Sequence, residues 1–208
     1  MRILLMASSL KRLKAAMSPI GQAQFNQVGT YQWTCPPGVT KVAVALVGAG
    51  GVGRAVLGFT GNGGNVRYIN EIPVVPGNIY PIVIPPNTTG QAANNTTSGF
   101  GYTANSPLNS TVKGGDGSSG ISGRYAEMEG GGNVGLIGAG RYSQGIDLKT
   151  FAATSPTGTF SRDGGKCGGG GGYWKNRQDG EGGPGGVRII WGDNRSFPSS
   201  NIGDMPSA

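Results

Sequence analysis

The glycines of this chain come in clumps, and the clumps limit what it can fold into. Stretches 48–53, 61–64, 114–123, 130–140, 164–172 and 180–186 are rich in glycine, which fills 42 of 208 positions. An average protein holds about 7%. Each glycine costs a helix interior about 1 kcal/mol relative to alanine, so none of these stretches makes a stable helix. Collagen's strict every-third glycine is absent. Two states remain. The clumps are flexible linkers, or they are polyproline-II-type helices with three residues per turn and no internal hydrogen bonds. Without Cβ atoms such helices approach closely and satisfy each other's backbone groups. Ile137, Tyr142, Tyr173 and Trp174 recur among the glycines. Linkers lack such residues, which favours packing.

Strand patterns bracket the clumps. Residues 24–33 alternate as a strand, and Cys35-Pro36-Pro37-Gly38 is a turn. Lys41–Val47 is the clearest strand. Residues 65–75 follow, with Pro73 near their end, then the turn Pro76-Gly77-Asn78 and the strand Ile79–Ile84. Residues 187–191 make the last strand. From Asn87 to about Phe160 the chain is polar, with one short alternating piece at 124–129. A polar stretch that long is uncommon as a bare loop in a compact domain, which again favours packed glycine structure. The fold expected is all-β: a small β-sandwich with long glycine-rich loops or packed polyglycine-II helices, plus a short N-terminal helix. Residues 1–20 read as a docking or oligomerisation segment, 24–192 as the glycine-rich β-domain and 193–208 as a C-terminal tail.

The N-terminal reading rests on a seam. Ile3, Met6, Leu10, Leu13 and Met17 are spaced three, four, three and four, with Lys11, Arg12 and Lys14 off the seam. A helix this short is marginal alone in water, so it needs a partner in its own oligomer or in a larger assembly. Ile3, Met6, Leu10, Lys11, Arg12, Leu13 and Met17 are the expected assembly contacts. A signal peptide would place its charges before the apolar stretch, and a membrane span needs about 20 apolar residues. A basic amphipathic helix lying on a membrane is a less favoured alternative. Ser18, Pro19 and Gly21 end the helix.

Composition narrows the chemistry. Histidine is absent, which removes imidazole-dependent nucleophilic catalysis and histidine-ligated zinc. Cys35 and Cys167 form no CxxC pair; two free thiols are the favoured reading over a disulfide. Of the net charge of +7, Arg2, Lys11, Arg12 and Lys14 supply +4, leaving +3 on the remainder. That is too little for a nucleic-acid platform, which needs a clustered basic face. The strand at 42–47 runs into Gly48-Ala49-Gly50-Gly51-Val52-Gly53, a G-x-G-x-x-G spacing, with Glu71 beyond it. The dinucleotide mechanism needs a helix to open at the third glycine; residues 54–64 hold four more glycines instead. The P-loop reading fails because Arg54-Ala55 stands where Lys and Ser/Thr would bind phosphate and magnesium. Glu127 and Glu129 share a strand face without any sign of a sugar cleft, and Asp116, Asp163 and Asp179 sit in turns without calcium-ligand spacing. No catalytic, cofactor or metal site is expected, and no cofactor.

One cluster stands apart. Tyr173-Trp174-Lys175-Asn176-Arg177 sets aromatic rings beside basic groups within a glycine tract. Such a set suits sugar rings or protein loops. Alternatively, one ring plugs a gap between glycine helices. Tyr173, Trp174, Lys175 and Arg177 are the candidate recognition residues.

A resemblance joins these observations. Residues 33–44 (WTCPPGVTKVAV), followed by Val47-Gly48-Ala49-Gly50-Gly51, resemble the opening of glycine-rich domains of bacteriophage tail-fibre and other virion proteins. Residues 75–84 (VPGNIYPIVI) resemble that family's second signature, and 185–199 resemble the ends of glycine-rich structural proteins of marine cyanophages. The resemblance implies a β-sandwich whose first and last strands pair. It also implies a non-enzymatic virion protein, a tail-fibre or receptor-binding component, with a capsid decoration or head-fibre protein as the alternative. Partners would be other virion proteins, a host surface glycan or an outer-membrane protein, and further copies of the chain. Two departures stand out: the basic N-terminal seam, and the Asn- and Thr-rich stretch 87–110 where the family has glycine.

Overall fold

The computed structural model describes residues 19–53, 61, 63–86, 96–105, 128–129, 145–150, 153–154, 163–171, 173–174, 178–198 and 203–205. In chain order the strands are β1 (Gly21–Phe25), β2 (Gly29–Thr34), β3 (Lys41–Val47), β4 (Val66–Pro73), β5 (Ile79–Ile84), β6 (Thr96–Gly99) and β7 (Tyr102–Asn105). Five two-residue strands follow: β8 (Met128–Glu129), β9 (Gly145–Ile146), β10 (Ala153–Thr154), β11 (Tyr173–Trp174) and β12 (Gln178–Asp179). β13 (Gly186–Trp191) closes the series. No helix occurs among the described residues. The N-terminal helix expected from the seam lies outside them.

Two four-stranded antiparallel sheets form the sandwich. Sheet one has the order β1-β13-β3-β4, and sheet two β2-β5-β6-β7. β13 lies between β1 and β3, with Gly21 opposite Trp191 and Gly186 opposite Val47. Alternation sorts the side chains. Val42, Val44 and Leu46 of β3 and Val187 and Ile189 of β13 enter the core between the sheets, where Ile82 and Ile84 of β5 meet them. Trp33 sits at its centre, with ring centroids of Tyr80, Phe100 and Trp191 at 5.8, 5.5 and 5.6 Å. The opposite face of sheet one is also dry, because Ala43, Ala45 and Ile190 pack under Phe197. β3 therefore reads as an unbroken apolar run.

Two expectations need correction. Residues 24–33 are not one strand: β1 ends at Phe25 and β2 begins at Gly29, in different sheets. The exposed residues Asn26, Gln27 and Val28 carry the chain across the sandwich. Phe25 and Tyr31 both point inward, with centroids 5.0 Å apart, so the alternation hides the break. The polar stretch after Asn87 contains the hairpin β6–β7, which completes sheet two. Phe100 and Gly101 form its two-residue turn with φ of 55° and 79°, the double left-handed turn that matches strand twist. Thr97 and Gly99 fill the inward positions of β6, so polarity does not alternate there. Of the short piece at 124–129, only Met128 and Glu129 are described, as β8.

Candidate functional site

Three neighbouring strands of sheet one continue into glycine at the same end of the sandwich. Tract 48–53 leaves β3, tract 61–64 leads towards β4 and tract 180–186 enters β13. Tracts 163–165 and 168–171 join them, linked by a turn at Lys166, Cys167 and Gly168, with φ of 57° at Cys167 and 89° at Gly168. The Gly50 and Gly53 amides donate to the Gly183 and Gly180 carbonyls at 2.8 and 2.9 Å, and Gly61 and Gly64 donate to Gly171 and Gly168. Both pairs advance by three residues in opposite directions, the repeat of a three-residue helix packed antiparallel. Further bonds tie Gly171 to Gly51, Gly183 to Gly169, Gly168 to Pro184 and Gly164 to Glu181, at 2.6–2.8 Å. The tracts are thus packed polyglycine-II helices held mainly by backbone bonds, with the Asp163 carboxylate accepting one further bond from the Glu181 amide at 3.0 Å. Glycine is obligatory in the contacts: a Cβ on Gly50 would fall on the Gly169 carbonyl, and one on Gly64 on the Gly48 carbonyl.

This bundle absorbs the nucleotide-like fingerprint. The amides of Gly48, Gly50 and Gly53 donate to Asn65, Gly183 and Gly180. The N–H groups that a pyrophosphate would need are already engaged.

An apolar plug seals the bundle onto the sandwich, built from Val47, Val66, Ile146, Leu148 and Cys167. Burial there, and then the nearby Asp147 carboxylate, push the Cys167 thiol up to about 12, with Lys166 opposing. Cys35 lies in the core cluster, donating to the Val39 carbonyl at 3.3 Å, and burial raises its thiol too. Both cysteines are free.

Beyond the bundle lies a small sheet. β11 pairs with β12, Tyr173 opposite Asp179 and Trp174 opposite Gln178, and on its other side with β8. The link between β11 and β12 is 175–177, so Lys175 and Arg177 lie outside the described residues. Tyr173 and Trp174 are placed by backbone at this far end. The seam residues Ile3, Met6, Leu10, Lys11, Arg12, Leu13 and Met17 also lie outside the described residues. Their chain joins the body at Pro19, beside a groove of about 650 Å³ at the opposite end, lined by Pro19, Gly38, Lys41, Glu71, Trp191 and Asn194 among others. From Asp179 to Gly186 and on to Trp191, a tract rise of about 3.1 Å and a strand rise of about 3.3 Å per residue separate the two poles by about 40 Å.

A strap not foreseen in the tail holds sheet one's outer face. Asn70 bonds the Phe197 backbone twice, donating from Nδ2 to its carbonyl at 2.8 Å and accepting its amide at 2.9 Å. Gln22 treats the Met205 backbone the same way. The Arg188 side chain is buried and donates to Gln24 and Asp204, both at 3.1 Å. Arg195 donates to Gly21, Gln22 and Gly203. Burial, then the Arg188 charge, lowers the Arg195 guanidinium from its ordinary value, against the opposing pull of Asp204. Asp204 is held below the usual carboxylate range by its bond from Lys149; burial opposes this, and Arg188 adds to the lowering. A buried arginine in Val187-Arg188-Ile189-Ile190 was the available signal, since a charge inside an apolar strand demands a partner.

No family model matches the chain, and no curated protein matches its sequence significantly.

Proposed function

We propose that this chain is a non-enzymatic structural component of a bacteriophage particle, a tail-fibre or receptor-binding piece. Its N-terminal seam docks at one pole and its glycine pole faces outward. The observation that carries this reading is the bipolar layout: the chain leaves the body at Pro19, while the β11–β12 hairpin stands about 40 Å away beyond a bundle held by backbone bonds. Backbone packing fixes a rigid spacer without committing side chains. The hairpin, with Tyr173 and Trp174 in β11 and Lys175 and Arg177 in its link, is then the surface offered to a host glycan or outer-membrane protein.

Labelling of intact particles with an antibody to the body tests the location. Signal on the tail is the expected result; signal on the head would replace it with a capsid decoration role, and none would sink the virion reading. Isolated protein should bind host cells and lose that binding when 175–177 are replaced by Gly-Ser-Gly. Equal binding by both forms would overturn the hairpin's role.

A further inference from the structure

The two outer faces of the sandwich differ in kind. Sheet one's is covered by the strap and holds Arg188, Arg195 and Asp204. Sheet two's outward positions, among the described residues, bear no ionisable group. β2 contributes Thr30, Gln32 and Thr34, all exposed; β6 and β7 contribute Thr96, Ser98 and Thr103. Between them runs an apolar stripe on β5: Ile79, 57% exposed, then Pro81 and Val83. Val75, 56% exposed, extends the stripe across the turn, where the Asn78 amide donates to its carbonyl at 3.0 Å.

We infer that this face is a contact between two copies of this chain. The body carries +3 outside residues 1–20, and a face without ionisable groups sets no like charges opposite one another when two copies meet through it. Interface cores are likewise depleted in charge. Nucleic acid or an anionic membrane would require cations that the face lacks. A sugar platform would present aromatic rings, whereas Tyr31, Trp33, Tyr80 and Tyr102 of these strands turn into the core. A two-fold apposition instead sets the Ile79-Pro81-Val83 stripe on its own image. Two strands about 20 Å long and two about 13 Å long, set about 4.8 Å apart, give about 320 Å² per copy, about two fifths of what a standard stable interface buries on each partner. The contact is therefore weak on its own. It does not depend on where the protein resides.

Sedimentation equilibrium on the full chain, from about 1 to about 200 micromolar, tests this. Thr30 and Ser98 flank Val83 in one cross-strand row, so the double variants Thr30→Lys/Ser98→Lys and Thr30→Glu/Ser98→Glu put like charges face to face. Each alone should weaken association at least tenfold, and an equimolar mixture should restore it. Circular dichroism and melting check the fold of each, and the exposed Gln32→Lys serves if a double variant misfolds. Monomer at every wild-type concentration would overturn the proposal. So would doubles that associate like wild type, which would place the contact at the N-terminal seam, or a mixture that fails to recover.

Discussion

Replacing Gly50 with alanine tests whether the glycine tracts are packed. The new methyl would fall on the backbone carbonyl of Gly169, which cannot swing aside as a flexible side chain could. Tract 48–53 must then move from tract 168–171. Two bonds are at stake, Gly50 to Gly183 and Gly171 to Gly51, both 2.8 Å, and each contributes about 1 kcal/mol net. Forced overpacking adds about 1–3 kcal/mol. Removing a glycine from the unfolded chain returns about 0.4–1 kcal/mol. The net loss is about 3 kcal/mol, or about 6–12 °C of melting temperature at this chain length. Gly203→Ala is the control, because its Cβ meets nothing within 4 Å, and it should stay within about 0.5 kcal/mol of wild type. Amide exchange supplies a second readout that follows the bundle separately from the sandwich: Gly50, Gly53, Gly61 and Gly171 should be protected. Equal melting of the two variants, together with exchange at free-peptide rates at those amides, would refute packed polyglycine.

Other expectations follow from the plug, the strap and the core. Cys167 should resist a disulfide reagent in the native state and react once the chain is unfolded. Its thiol is raised from 9.0 to about 12, so the unfolded chain ionises first: the stability it contributes is complete below pH 9 and declines as pH climbs towards 12. Denaturant titrations of wild type and Cys167→Ala across that range should differ in slope. Asp204 is shifted the other way, below 3.8, so its contribution is present above that pH and lost as pH falls through its lower folded value. Exchange protection at Phe197 and Met205 should fall with it, and should not in Asp204→Asn. Asn70→Ala removes both bonds to Phe197 and should cost about 2 kcal/mol in chemical denaturation. Trp33→Ala empties the centre of the core, at about 3–5 kcal/mol.

Much of the sandwich was legible because burial writes itself into apolar runs. Lys41–Val47 and Ile79–Ile84 are strands at the bounds their hydropathy indicates, and β13 differs by one residue. β6 and β7 were not, since the inward positions of β6 are Thr97 and Gly99, where a patterned strand would present apolar side chains. The break between β1 and β2 was hidden by two inward aromatics, Phe25 and Tyr31. Packing of the glycine tracts could be argued from the aromatics among them, but which tract touches which depends on contacts such as Gly61 with Gly171, more than a hundred residues apart and without side chains to encode them. Apart from the signal of Arg188, the strap was illegible for a related reason. Asn70 and Gln22 bind backbone atoms, and a backbone partner leaves no trace in composition.

The bundle also measures length. Its backbone bonds repeat every third residue, so three residues added to each of two paired tracts would restore the same bonds one turn farther out. Each such step would lengthen the spacer by about 9 Å without rotating the hairpin relative to the sandwich. One or two residues would rotate the tract and break the register. A gene under pressure to change reach can therefore do so in codon triplets of three, keeping both ends intact, and the tip can diverge while the scale beneath it is only lengthened or shortened.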